Sequence, residues 1–137
     1  MSDTSRPADT HSGPTILVTG AAGNLGREVV NRLQARGVRV RRLNRRAVDP
    51  RPGIESVVGD LTDPTAVRAA LVNVDAVFLV WPLLDATPAR RLAEELVEAA
   101  SQVVYLSSTA VDDHNPDQSD PIVEIHADME ALLTDLP

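Results

Sequence analysis

The chain has 137 residues, 43% of them hydrophobic, and a net charge of −7; its thirteen basic residues are all arginine, and it contains neither lysine nor cysteine. That length suits one domain burying roughly two thirds of its unfolded surface. Without thiols there are no disulfides, thiolate nucleophiles or zinc–thiolate sites, and without an ammonium group there is no Walker-type phosphate loop, Schiff base or Tyr-Lys proton relay.

In chain order, residues 1–14 (MSDTSRPADTHSGP) lack the apolar core of a signal peptide and read as a disordered tail. Residues 15–137 then alternate apolar runs with helical patterns, the mark of βαβ units stacked on a parallel sheet. Strand Thr15–Thr19 passes through TGAAGNLGR into a helix whose stripe is Leu25, Val29 and Leu33 and which Gly37 stops in a left-handed conformation. A second strand is expected over Val38–Leu43, with Arg39 and Arg41 alternating with Val38 and Val40, and a third over Ser56–Val58. Asp63-Pro64 forms an N-cap and first helical residue for a short helix ending at Ala70 or Leu71. After a fourth strand, Ala76–Trp81, the pair Thr87-Pro88 opens a helix to about Ala100, followed by a fifth strand, Val103–Ser107. The polar loop Asp112–Pro121 holds His114 among Asp112, Asp113, Asp117 and Asp120, but at no metal-ligand spacing. Pro121 opens the last helix, with Ile122, Ile125, Met129, Leu132, Leu133 and Leu136 on its apolar face. No stretch approaches the ~20 apolar residues of a membrane span, and the lack of cysteine is compatible with a cytoplasmic location.

Gly20, Gly23 and Gly26 recur every third residue where a strand gives way to a helix. There the first N–H groups of the helix point outward and bind phosphate, aided by the helix dipole. Gly20 permits the turn, Gly23 admits a pyrophosphate close to the backbone, and Gly26 lets the helix pack against the strand. The spacing G-x-x-G-x-x-G is looser than G-x-G-x-x-G, so the strand before and the amphipathic helix after carry the dinucleotide reading.

Charge divides along the chain. Residues 27–51 carry nine arginines against Glu28 and Asp49, net +7, while residues 52–137 are net −13. This pattern favours a local anionic ligand over nucleic-acid coating, the alternative being a solvated basic helix face and strand edge. Where an NAD-specific site shows a carboxylate for the ribose hydroxyls, the second strand ends in Asn44-Arg45-Arg46. A guanidinium binds the 2′-phosphate of NADP through charge-assisted hydrogen bonds, so NADP(H) is expected over NAD(H). Asp60, in VVGDL, either meets the adenine edge or caps the following turn.

With VTGAAGNLGR, LNRR, VVGDLTDP, DAVFLVWP, VVYLSSTAV and HADMEALLTDLP in hand, the chain from Thr15 to Pro137 resembles the NmrA-like, atypical branch of the short-chain dehydrogenase/reductases. The resemblance implies that Gly20, Ala22, Asn24 and Leu25 line the pyrophosphate loop, Arg45 the 2′-phosphate, and Asp60 and Leu61 the adenine. It implies Val80, Trp81 and Pro82 at the nicotinamide-side ribose, with Ser107 and Ser108 facing the nicotinamide end, Ser108 as a catalytic candidate. Where superfamily reductases carry Tyr-x-x-x-Lys, this chain reads His126-Ala-Asp-Met-Glu130. His126 is either a proton donor oriented by Glu130 or a surface histidine beside an i, i+4 carboxylate.

Family members usually continue into a sixth strand and a substrate-binding region, so a fragment or a naturally short protein is expected. The expectation is an α/β, Rossmann-like doubly wound sheet in the order 3-2-1-4-5. Its partners are a dinucleotide and an unidentified small substrate or protein, with self-association through an unpaired fifth strand. It serves either an NADP-dependent oxidoreductase or a non-catalytic redox sensor.

Overall fold

A computed structural model describes residues 13–21, 23–81, 89–107, 111, 114 and 120–135. The expected tail up to residue 12, the Thr87-Pro88 helix start, Ala22, Pro82, Ser108, Leu136 and most of the Asp112–Pro121 loop lie outside the described residues.

The chain runs β1 (Thr15–Thr19), α1 (Asn24–Ala35), β2 (Arg39–Asn44), β3 (Ile54–Val58), α2 (Pro64–Leu71), β4 (Ala76–Leu79), α3 (Ala89–Ala99), β5 (Gln102–Tyr105) and α4 (Pro121–Asp135). All neighbouring strands pair in parallel, in the order β3-β2-β1-β4-β5. This is the doubly wound α/β arrangement expected from the alternation of strands and helices.

The ends of the elements follow local chemistry. Asp63 caps α2 by accepting the Thr65 N–H at 3.0 Å, with Pro64 at its first position. Gly37, at φ 75°, ends α1. Strand limits differ from the apolar runs because pairing sets them. β2 extends to Asn44 opposite Val58, β3 begins earlier where Ile54 meets Val40, and β5 stops at Tyr105 opposite Leu79. The edge strands are also less covered than their apolar runs suggest: Glu55, Ser56 and Val58 of β3 and Val104 of β5 are exposed.

Side-chain alternation sorts the sheet into two faces. Leu17, Leu43, Val77 and Leu79 form one core with Val67, Ala70 and Leu71 of α2, Leu92 and Leu96 of α3, and Met129 of α4. Val18 and Val40 pack on Val30 of α1 across the other face. Ile122 of α4, expected on the apolar face, is exposed. No helix among the described residues is long and apolar enough to cross a membrane.

One connection departs from strict alternation. β2 reaches β3 without a helix, and residues 45–53 are instead pinned to α1. Arg51 donates to Asn31 Oδ1 at 2.8 Å and to Gln34 Oε1 at 2.7 Å, and Gln34 Nε2 donates to the Pro52 carbonyl at 2.8 Å.

Candidate functional site

The carboxyl ends of β1, β2, β3 and β4 share one edge of the sheet, and the order reverses between β1 and β4, where ligands of open α/β sheets bind. Two hydrogen bonds tie this switch point together: Thr19 Oγ1 donates to the Val80 carbonyl at 3.0 Å and accepts the Val80 N–H at 2.8 Å.

The three glycines have different physical reasons. Gly20 sits at φ +63°, and a Cβ there would lie 3.1 Å from Val80 Cβ. At Gly26 a Cβ would fall 2.1 Å from the Gly20 carbonyl oxygen, so the helix rests on the Gly20–Ala21 turn rather than on the strand itself. Gly23, the N-cap of α1, has an ordinary φ of −73°, is exposed, and would place a Cβ no nearer than 3.4 Å to any atom. The fold needs Gly20 and Gly26. Gly23 leaves open space at a helix N-terminus, as a close-approaching phosphate requires. Asn24 and Leu25 follow it in the exposed first turn.

At the end of β2, Asn44 is 7% exposed, and neither atom of its amide has a hydrogen-bond partner among the described residues. A buried amide without partners is costly, and here both its donor and its acceptor are unused. Arg45 and Arg46 are exposed; Arg45 Nε lies 3.7 Å from Asp60 Oδ2. The other Asp60 oxygen accepts from the Thr62 N–H and hydroxyl, both at 2.9 Å. The turn-capping alternative is therefore realised, and the residue still faces Arg45. The Thr62 backbone and hydroxyl bonds hold the Asp60 carboxyl below its usual range against the opposing effect of burial, with Arg45 adding the least.

Leu61 and Trp81 belong to the core beneath the site, and Ser107 Oγ is buried with no partner among the described residues. His126 is held differently from the sequence expectation: its Nδ1 lies 2.6 Å from the Tyr105 hydroxyl, and among the described residues it makes no hydrogen bond to Glu130. Burial, and then the nearby Glu130 charge, push the Tyr105 phenol up to about 12. The phenol stays protonated and is able to donate to Nδ1, placing the ring's own proton on Nε2 in that tautomer.

The basic segment divides by face. Arg41 turns toward α2, donating to the carbonyls of Ala70 at 2.8 Å and Val72 at 2.6 Å and pairing with Glu55. Arg32 pairs with Glu28 along α1. Arg42 and Arg27 escaped the sequence reading; they line, with Asn44, a cleft beside the glycine turn. Arg42 offered only one signal, its even spacing from Val40 and Asn44 on β2.

A fold with this strand order and glycine turn defines a dinucleotide-binding domain, and residues 20–135 match the NAD(P)H-binding family model. The chain belongs to that family, within the atypical short-chain dehydrogenase/reductases. It is 39% identical over 101 residues to an NAD(P)H azoreductase from Xenophilus azovorans, covering 70% of this chain and 35% of that protein. It is 40% identical over 124 residues to a (4-alkanoyl-5-oxo-2,5-dihydrofuran-3-yl)methyl phosphate reductase from Streptomyces griseus, covering 88% and 43%. Among solved structures, a short-chain dehydrogenase/reductase superfamily protein from Agrobacterium tumefaciens with bound NAD aligns at TM-score 0.73 and 30% identity, covering 87% of this chain and 44% of that one. The chain thus spans less than half the length of these relatives.

Proposed function

We propose that this chain is the NADP(H)-binding domain of an NmrA-like oxidoreductase in the cytoplasm. The observation that carries the cofactor preference is the end of β2, where a buried, unpartnered Asn44 amide stands beside two exposed arginines and none of the residues Asn44-Arg45-Arg46 is acidic. Gly23 makes room for the pyrophosphate with Ala22, Asn24 and Leu25 around it. Asn44 holds the adenosine ribose, Arg45 and Arg46 attract the phosphate, and Asp60 and Leu61 border the adenine. Val80, Trp81, Pro82 and Ser107 border the nicotinamide half. Bound NADPH supplies hydride, and both curated relatives described above are reductases by name. In this reading His126 is the proton donor, oriented by Tyr105, with Ser108 beside the substrate.

A second reading, a redox-sensing regulator without turnover, draws on two features. The chain has no lysine for the superfamily's proton relay, and His126 Nδ1 is engaged by Tyr105. One experiment separates them: titration of NADPH and NADH, followed by NADPH oxidation against a panel of quinones and aldehydes. Tighter NADPH binding with turnover supports the oxidoreductase, and tighter binding without turnover supports the sensor. Equal or tighter NADH binding overturns the NADP(H) assignment.

A further inference from the structure

Between α1 and the helix-less 45–53 connection lies a cleft of about 440 Å³ whose walls include Ala21, Arg27, Arg42, Asn44, Asp49 and Arg51. Three arginines and one aspartate are among its described lining residues. Arg51 is committed to α1 through Asn31 and Gln34, and Arg27 donates to Asn24 Oδ1 at 3.0 Å.

Arg42 is the unusual member. It is 8% exposed, yet all its acceptors are neutral: Ser56 Oγ takes Nε at 3.0 Å and Nη2 at 2.8 Å, and the Asp49 carbonyl takes Nη2 at 3.0 Å. Among the described residues no carboxylate pairs with it and its Nη1 has no hydrogen-bond partner. Burying a cation without an anion is expensive, and proteins normally pair or solvate such a group. Neighbouring Arg41 shows the purely structural use of the same side chain, with a carboxylate and two helix-end carbonyls as partners. The Arg42 guanidinium ties β2 to Ser56 and to the 45–53 connection, and the unpartnered Asn44 amide lines the same cleft. The buried Asn44 amide without partners, and an Arg42 whose acceptors among the described residues are all neutral, suit one anionic, hydrogen-bonding ligand in this cleft.

We propose that Arg42, inside strand β2, is a specificity-determining residue that receives the 2′-phosphate of NADP in this cleft, which Arg27 also lines. The inference rests on the NADP(H) reading. Ala21 of the glycine turn and Asn44 at the ribose position both border the cleft, so a phosphate on the adenosine ribose is the anion that reaches it while the pyrophosphate sits on the turn. Arg45, whose side chain is 73% exposed and shared with Asp60, acts at the rim, where water screens it. Asp49, which is exposed, is the acidic residue among the described residues lining the cleft.

The test compares wild type with Arg42→Met and with Arg42→Gln, which keeps a donor for Ser56 should the methionine variant fail to fold. NADPH and NADH affinities are measured for each, with thermal protection by 2′-AMP and by inorganic phosphate. The expected result is that the preference for NADPH over NADH falls about tenfold or more, NADH affinity is held, and protection by 2′-AMP is lost. Inorganic phosphate should protect the wild type far less than 2′-AMP. An unchanged NADPH/NADH ratio in a folded variant, or an equal loss of both cofactors, overturns the role of Arg42 and leaves the cofactor reading standing. Protection by inorganic phosphate equal to that by 2′-AMP overturns it too, as a general anion site. Failure of wild type to bind either dinucleotide overturns the reading on which it rests.

Discussion

Replacing Gly23 separates what the glycine turn does for the fold from what it does for a ligand. The N–H of Gly23 donates to the Gly20 carbonyl at 3.1 Å, and that bond survives substitution because the backbone is at φ −73° and ψ 168°, open to any residue. A valine Cβ at 3.4 Å from the nearest atom fits without moving the chain. The folding cost is that of a poorer N-cap, about 1 kcal/mol, within a stability of roughly 5–15 kcal/mol. The ligand cost is larger. The β-branched side chain occupies the space over the helix N-terminus and displaces the pyrophosphate from at least one charge-assisted bond of about 1.5–3 kcal/mol, lowering affinity roughly 10- to 100-fold. Gly26→Ala is the contrasting control. Its Cβ would sit 2.1 Å from a backbone oxygen, so the turn and helix must separate, at about 1–3 kcal/mol or more of folding stability. Thermal melts paired with NADPH fluorescence titrations read both quantities. Wild-type NADPH affinity in a folded Gly23→Val protein would refute the placement of the pyrophosphate on this turn.

Three further outcomes follow from the geometry. Arg45→Asp should weaken NADPH by about 1–2 kcal/mol and spare NADH, the effect shrinking as salt rises because the side chain is exposed; salt-independent loss of both cofactors in parallel titrations would contradict a rim charge. Tyr105 is the chain's single tyrosine, so its phenolate absorbance reports one site, with a midpoint near 12 rather than 10. Because the folded value lies above the unfolded one, this group's contribution to stability is full below pH 10 and lost as pH rises toward 12, and Glu130→Gln should lower the midpoint, an unchanged value removing that charge as a cause. Asp60 carries the opposite sign: its lowered carboxyl contributes stability at neutral pH that fades as acid protonates it, so Asp60→Asn should flatten the acid limb of the melting curve, and an unchanged limb would remove the Thr62 and Arg45 contacts as the cause.

The one-dimensional pattern determined the architecture because its signals are local. Hydrophobic runs, the Asp63-Pro64 start and the Gly37 stop each act within a few residues, and right-handed connections restrict alternating strands and helices to few sheet orders. The glycine turn and the arginine-rich end of β2 were legible for the same reason, since strand, turn and helix are consecutive. What decided between near-identical residues was three-dimensional. Arg41 and Arg42 are adjacent and chemically equal, yet the two-residue period of the strand sends one to the carbonyls ending α2 and the other to Ser56 and the Asp49 carbonyl beside the cleft. Gly23 and Gly26 look alike in sequence, but only the packed turn puts a carbonyl oxygen where a Cβ at position 26 would stand. His126 found its partner 21 residues away on β5 rather than one helical turn along α4, because α4 packs over the strand that carries Tyr105. Periodicity determines which face a side chain takes, whereas the atom waiting on that face is supplied by a distant part of the chain, and only the folded packing of sheet and helices decides it.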